Sequence, residues 1–178
     1  ASAGTSNFRA GVNAGNSIES GGNYNVAVGD EAGTAITTGD NNVVIGYSAG
    51  AAITTGIKNI LIGSNTGDAL TTANENVVVG HFAMSNNVLG AKNVAIGTST
   101  LSATNPSSAA DMFNVAVGFQ AGNAVTTGVQ NTLIGGKAGD AITTSNDNTG
   151  VGYQALGANT TGHSNAAVGS ASLDANTT

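Results

Sequence analysis

The sequence predicts an all-β protein, a parallel β-solenoid (β-roll) of about ten coils of 17 residues each. The pattern Asn-x-x-apolar-Gly recurs nine times, in steps of 17 residues with one step of 21. The residues after each Asn form short runs rich in Val and Ile, which are typical of short strands. No window has the apolar period of about 3.6 residues that an amphipathic helix requires.

The repeat is numbered here by columns, with the Asn as column one and the Gly that follows the apolar run as column five. The Asn side chains are predicted to form a structural ladder, in which each amide bonds to the same group one coil above and below. The ladder residues are Asn25, Asn42, Asn59, Asn76, Asn93, Asn114, Asn131, Asn148 and Asn165.

The repeat also divides the chain. Residues 1–24 are interpreted as an atypical N-terminal coil or lead-in segment, with a degenerate copy of the pattern from Asn7 to Gly11. Residues 25–178 are interpreted as the β-solenoid repeat domain. Four extra residues fall within a loop insertion around residues 98–113, and we expect this loop to bulge outward around Pro106, since proline cannot donate to an interior rung.

Columns nine and twelve predict how the interior of a coil is filled. Wherever column nine is Gly, column twelve is Ile, Leu or Val, as in the pair Gly33 and Ile36. Wherever column nine is Met or Leu, column twelve is small or polar, as in the pair Met84 and Asn87. A close-packed core loses stability when it is overfilled or left with a void. We therefore expect both columns to point into one small space.

Side chains alternate along a strand, so columns two and four lie on one face and column three on the other. Columns two and four are almost all Val and Ile, which predicts that they face the interior. Column three would then be an outward apolar stripe, and such stripes usually mark an interface. The predicted chain–chain interface, in its simplest form a three-fold bundle, consists of Val44, Leu61, Val78 and Leu133.

Composition excludes several classes of function. The chain has no Cys, so it has no disulfide framework and no thiolate site. Four Lys and Arg residues against ten Asp and Glu give a net charge of −6, which disfavours binding to nucleic acid or anionic lipid. No apolar run approaches the roughly 20 residues of a membrane-spanning helix, so no membrane insertion is expected.

No catalytic, cofactor-binding or metal site is predicted, and we expect no enzyme. The two histidines, His81 and His163, occupy different columns almost five coils apart. The densest acidic group, Asp30, Glu31 and Asp40, could supply paired carboxylates to a glycosidase, but neither Asp30 nor Glu31 recurs in neighbouring coils. A nucleophile, a base and a residue to orient them cannot be named together.

Two binding functions remain as alternatives to a purely structural role. The column-six aromatics Tyr47, Phe119 and Tyr153, together with the Pro106 loop, are candidate contacts for a cell-surface receptor or glycan, although scattered surface aromatics are normal in any protein. Threonine pairs such as Thr37 and Thr38 recur in columns thirteen and fourteen and could bind ice. Adjacent threonines point to opposite sides of a strand, however, whereas a flat ice-binding face needs them two residues apart.

Several segments resemble the repeats of bacteriophage tail fibres: residues 153–162 (YQALGANTTG), residues 165–169 (NAAVG) and residues 46–50 (GYSAG). More loosely, the chain is similar to the head repeats of YadA-type trimeric autotransporter adhesins, which form a left-handed parallel β-roll. The resemblance covers nearly the whole chain from Asn25 onward. It implies a homotrimer of solenoids that forms a stiff fibre shaft or an adhesive head.

The sequence therefore predicts a structural fibre segment of an extracellular or virion-surface appendage, which supports attachment to a host or surface. Its expected partner is itself, as a homotrimer. The alternative is a self-assembling secreted filament whose subunits stack head to tail, because the sequence stops within a coil without a capping element and uncapped strand edges invite further pairing. An ice-binding solenoid is the third hypothesis.

Overall fold

The computed structural model describes residues 4–177, which contain twelve short β-strands and no helix. The strands are β1 (Phe8–Ala10), β2 (Val26–Val28), β3 (Val43–Ile45), β4 (Ile60–Ile62), β5 (Val77–Val79), β6 (Gly90–Ala91), β7 (Val94–Ile96), β8 (Ala110–Asp111), β9 (Val115–Val117), β10 (Thr132–Ile134), β11 (Thr149–Val151) and β12 (Ala166–Val168).

Ten of these strands form one parallel sheet in the order β1-β2-β3-β4-β5-β7-β9-β10-β11-β12, and β6 and β8 form a second, two-stranded sheet. Each strand pairs with its counterpart in the next repeat, so that Val43 lies opposite Ile60 and Val77 opposite Val94. The chain thus rises by one strand per repeat. The predicted all-β parallel solenoid is confirmed, with about nine coils of about 17 residues.

The glycine of column five lets each coil turn its corner close to the next. Gly46 has a φ of +132°, and a Cβ built on it would lie 2.4 Å from the carbonyl oxygen of Gly63 in the following coil. No side chain fits such an approach, and φ values of this kind favour glycine. The backbone corners therefore stack directly upon one another along the solenoid.

The interior is lined by columns one, three, eight, nine and twelve, and this reverses part of the sequence interpretation. The predicted interface residues Val44, Leu61, Val78 and Leu133 are all 0% exposed and belong to the core. Columns two and four, predicted to be interior, point outward. The prediction was wrong because the three-residue strand shares the inward face of the Asn ladder: columns one and three point the same way, as side-chain alternation requires.

The predicted sharing of space by columns nine and twelve is confirmed. A Cβ built on Gly33 would lie 2.6 Å from Ile36 Cδ1 and 2.9 Å from Val44 Cγ2, distances that a real side chain could not keep. In the other type of coil, Met84 is fully buried and Asn87 replaces the large apolar residue. The backbone at column nine adopts the left-handed conformation in both types of coil: Gly33 has a φ of +55° and Met84 a φ of +49°.

The four-residue insertion forms a small sheet rather than a simple loop. Strand β8 pairs in parallel with β6, with Gly90 opposite Ala110 and Ala91 opposite Asp111. Residues 107–109 are exposed, but Pro106 is buried. Met112 is also buried and lies within 3.1 Å of a Cβ built on Gly90, so the insertion is anchored by packing at both of its ends.

The first coil carries an arginine at an inward position. Arg9 pairs with Ala27 in the sheet, which places it in column three. Its Cδ would lie 3.0 Å from a Cβ built on Gly15, and its Nη1 donates a hydrogen bond of 2.9 Å to the Gly15 carbonyl oxygen. The aliphatic part of Arg9 therefore covers the end of the core while its charge remains hydrogen-bonded and exposed.

Candidate functional site

The asparagine ladder is buried and bonds in three directions. Asn59 Nδ2 donates a hydrogen bond of 3.1 Å to Asn42 Oδ1 and one of 2.9 Å to the Ala73 carbonyl oxygen, which lies across the same coil. Asn59 Oδ1 accepts from the backbone N–H of Asn76 at 3.1 Å and from Asn76 Nδ2 at 3.2 Å. Each side chain from Asn25 to Asn148 thus ties its coil to both neighbours, which is a structural role.

Columns two and four form an outward-facing stripe of half-buried and exposed residues along the sheet from β2 to β12, called the strand face below. Its residues are Val26, Val28, Val43, Ile45, Ile60, Ile62, Val77, Val79, Val94, Ile96, Val115, Val117, Thr132, Ile134, Thr149, Val151, Ala166 and Val168. All but Ala166 are β-branched and none is charged. Ile60 and Ile96 remain 38% and 39% exposed. Two uncharged ranks, apolar except at Thr132 and Thr149, therefore face outward.

The three candidate receptor aromatics are exposed and lie on one edge of the solenoid. Tyr47, Phe119 and Tyr153 all occupy column six and are 53–58% exposed. Phe119 and Tyr153 are two coils apart, with Gly136 between them, and the Tyr153 ring lies within 3.4 Å of a Cβ built on Gly136. The Tyr153 ring therefore reaches over the column-six position of the preceding coil. The three rings do not converge on one pocket, since Tyr47 is four coils from Phe119.

The acidic group considered for catalysis is used in contacts between coils. Asp30 Oδ1 accepts a hydrogen bond from the backbone N–H of Val12 at 2.9 Å, and Glu31 Oε1 accepts one from Asn13 Nδ2 at 2.7 Å. Asp40 accepts from the backbone of Asn23 in the same way. These bonds give the three carboxylates a structural explanation.

The histidines also have local partners. His163 Nδ1 accepts a hydrogen bond of 2.9 Å from the backbone N–H of Asn146, and the His81 ring packs against Phe82 with 4.2 Å between ring centroids. Within residues 4–177, no group of three His, Cys, Asp or Glu side chains is placed to hold a metal ion.

Two column-ten carboxyls have raised pKa values because they are partly desolvated. Burial raises the pKa of the Asp68 carboxyl above its ordinary value, partly opposed by backbone hydrogen bonds from Asp68 and Ala69. Asp68 Oδ1 is buried and has no hydrogen-bond partner among the described residues. Burial likewise raises the pKa of Asp140, with an opposing effect of Lys137. The ionised form of these side chains is therefore less favourable in the folded chain than in the unfolded chain.

The insertion creates an open cavity of about 380 Å³ on the side of the solenoid. Two coils and the insertion line it: Thr72, Ala73, Asn74, Leu89, Ala91, Ala109, Ala110 and Asp111. Leu89 stands at column fourteen, where Thr38, Thr55 and Thr72 stand in earlier coils. Sequence reasoning did not find this cavity, because its shape depends on the side toward which the insertion folds. The replacement of Thr by Leu89 in column fourteen, beside an insertion, was the sequence feature that could have indicated the cavity.

An ion pair holds the insertion at the rim of the cavity. Lys92 Nζ lies 2.6 Å from Asp111 Oδ2 and 5.3 Å from the centroid of the Phe113 ring. The hydrogen bond to Asp111 raises the pKa of the Lys92 ammonium. One coil earlier, Glu75 pairs with Lys58 at 3.6 Å. Charges of both signs are therefore balanced around the cavity.

No protein-family model, curated protein sequence or solved structure matches this chain significantly. Among residues 4–177 there is also no helix of sufficient length and apolar character to cross a membrane.

Proposed function

We propose that the chain is a structural segment of an extracellular or virion-surface fibre, of the tail-fibre or adhesin kind, that associates laterally as a homotrimer through its strand face. The observation that carries this proposal is the strand face itself. Nine rungs about 4.8 Å apart give a stripe roughly 40 Å long. A contiguous exposed apolar surface of this extent is typical of an interaction site.

The geometry of the strand face favours a second copy of the chain as its partner. The stripe repeats with every coil, so an identical stripe offers matching side chains, mostly Val and Ile, at each rung. It carries no charge that a partner would need to neutralise. Three stripes that meet on a common axis would bury their apolar ranks together, and the aromatics of column six would stay outside as attachment points for a surface receptor or glycan.

The head-to-tail filament is the weaker alternative. Stacking requires the exposed edge of β1 to accept another strand and to continue the core. Arg9 occupies the inward column at that edge, and an inward-pointing charge is a common means of preventing pairing between strand edges.

One observation favours ice binding and another argues against it. The strand face presents β-branched side chains two residues apart in two parallel ranks, which is the spacing that the threonine pairs lack. Thr54 Oγ1 in column thirteen donates to the Thr71 carbonyl oxygen, so that rank of hydroxyls is already bonded within the solenoid. The strand face itself is almost entirely Val and Ile. Self-association therefore remains the better-supported function.

The molar mass in solution tests the proposal. Light scattering after gel filtration should give three times the 17.1 kDa of the chain. Introducing charge on the strand face by Ile62→Lys and Ile96→Lys should produce monomers, because both side chains point outward and the fold does not need them. Thr55→Lys and Thr144→Lys add the same charges to the exposed column fourteen and should leave the trimer intact.

A monomeric wild-type chain at all concentrations would overturn the proposal. Thermal hysteresis in such a monomer, lost in the Ile62→Lys variant, would establish ice binding in its place. Long filaments of single-solenoid width in electron micrographs would instead establish head-to-tail stacking.

A further inference from the structure

The cavity beside the insertion has the features of a ligand site and no structural role of its own. It lies on the side of the solenoid formed by columns fourteen to sixteen. Residues 109–111 of the insertion line it together with residues of the two preceding coils, and β8 pairs there with β6. Its volume of about 380 Å³ falls within the range of small-molecule pockets, which begins near 300 Å³.

We propose that this cavity binds one neutral saccharide ring, a hexose or N-acetylhexosamine unit of a surface glycan. The proposal adds a ligand to the attachment role of the fibre, but it does not require the trimer. The site is separate from the column-six aromatics, which lie along a different edge of the coil.

Polar atoms without partners supply both donors and acceptors. Asn74 Oδ1 accepts from the backbone N–H of Ile57 at 2.8 Å, which orients the side chain and leaves Nδ2 without a hydrogen bond in the part of the chain described. Asp111 uses Oδ2 for Lys92 and keeps Oδ1 as an acceptor. The Thr72 hydroxyl is exposed and can do either. Sugar hydroxyls also donate and accept, so this set matches two neighbouring hydroxyl groups.

The charges around the cavity favour a neutral ligand. Asp111 is compensated by Lys92, and Glu75 by Lys58, so the rim presents neither a basic patch for an anion nor an unpaired acidic group for a cation. Leu89, Ala91 and Ala109 supply a small apolar part of the lining, referred to below as the apolar floor. The C–H face of a pyranose ring fits such a floor, while its edge hydroxyls reach the polar rim.

Methyl-group NMR of the full chain tests the site directly. With Ala and Leu methyl groups labelled, the protein is titrated with methyl glycosides of glucose, galactose and mannose and with N-acetylglucosamine. We expect at least one probe to shift the methyl signals of Leu89, Ala91 and Ala109 in a saturable way. Saturation-transfer experiments should show contacts from the C–H protons of the same sugar.

The repeat provides matched controls. Asn146 Oδ1 accepts from the Val129 N–H at 2.8 Å, the same bond that Asn74 makes, in a coil without an insertion. Asn74→Ala and Asn146→Ala therefore remove the same structural hydrogen bond, but only Asn74→Ala should weaken sugar binding, by about tenfold for a lost hydrogen bond in a partly enclosed site. Thr72→Val and Thr127→Val form a second such pair in column fourteen.

Three results would overturn the proposal. The first is the absence of saturable shifts with every sugar at millimolar concentration. The second is an equal loss of binding in the Asn74→Ala and Asn146→Ala variants, which would indicate a general effect on the fold. The third is a response of the cavity methyls to a short uncharged peptide but to no sugar. Molar mass is measured on the same samples, so failure of this site is distinguishable from failure of the trimer.

Discussion

Converting one type of coil into the other is the sharpest test of how the interior is packed. The coil with Gly33 and Ile36 is to be changed to the type seen at Met84 and Asn87, by Gly33→Met and Ile36→Asn, singly and together. The two positions share one space, since a Cβ on Gly33 would already lie 2.6 Å from Ile36 Cδ1. Each single change should therefore destabilise the chain strongly, and the second change should compensate for the first.

The expected magnitudes follow from the two sites. Gly33→Met places a side chain at a φ of +55°, which costs about 1–2 kcal/mol, and overfills the core at a further cost of about 1–3 kcal/mol. Ile36→Asn removes a fully buried side chain and should cost about 2–5 kcal/mol. The double variant keeps the backbone cost and the contact of the new side chain with Val44, about 2–3 kcal/mol together. The coupling energy should thus be about 1 kcal/mol or more in favour of the pair.

Urea unfolding followed by far-UV circular dichroism, at one fixed protein concentration, measures the four free energies of unfolding. Gly33→Ala measures the left-handed backbone cost together with the contacts of a single Cβ with Ile36 and Val44. In the double variant, we expect the introduced asparagine side chain to bond with the backbone of Gly39, as Asn87 does with Gly90 through two bonds of 2.8 Å. Additive losses in the double variant would refute the reasoning, because columns nine and twelve would then not compete for one space.

Three further changes have expected outcomes. Asn59→Ala should lower the free energy of unfolding by several kcal/mol in urea titrations. It leaves the Asn76 N–H and the Ala73 carbonyl without their partner, and each unpaired buried group costs about 1–3 kcal/mol. An effect below about 1 kcal/mol would contradict the stabilising role of the ladder. Asp68→Asn should raise the melting temperature at pH 7, since the folded-state pKa of Asp68 is raised and its ionised form costs stability. That gain should shrink as the pH falls and vanish below about pH 4, where the carboxyl is protonated in both states; a gain that persists there would exclude ionisation as its cause. Arg9→Leu should increase the end-to-end association measured by light scattering, whereas Arg9→Lys should not. Equal association of the two variants would show that the charge at this edge does not prevent stacking.

Much of the fold could be predicted because the repeat states the same constraint many times. A single Asn-x-x-apolar-Gly segment indicates little, but nine copies in phase fix the coil length and the pairing of neighbouring strands. The competition between columns nine and twelve was also visible, since each coil is an independent observation of which sizes fit together. Repetition thus replaced the comparison of related sequences.

The insertion could not be predicted to the same depth because it occurs once. The sequence shows four extra residues and Pro106, but not that β8 would pair with β6 or that Met112 would fill the corner beside Gly90. The cavity and the pair between Lys92 and Asp111 depend on that folding direction. The candidate ligand site therefore lies where the repeat gives no guidance.

The reversed orientation of the strand has a different cause, and the sequence contained the means to avoid it. Column three varies in size with column nine of the preceding coil. After Gly33, Gly50, Gly67 and Gly122 it is Val or Leu, as at Val44 and Leu133, and after Met84, Leu101 and Leu156 it is Ala, as at Ala95 and Ala167; Gly139, which precedes Gly150, is the exception. A Cβ on Gly33 would lie 2.9 Å from Val44 Cγ2, and one on Gly122 would lie 2.8 Å from Leu133 Cδ1. An outward column would have no reason to vary in size with the core, whereas a column within the core must do so at constant volume. Hydrophobicity alone predicted that the Val and Ile side chains of columns two and four are buried. The covariation of side-chain volume between columns instead identifies the residues that share the interior space. By the same argument, columns two and four, which stay β-branched in nearly every coil, are free of the core, and this freedom makes them available to a partner chain.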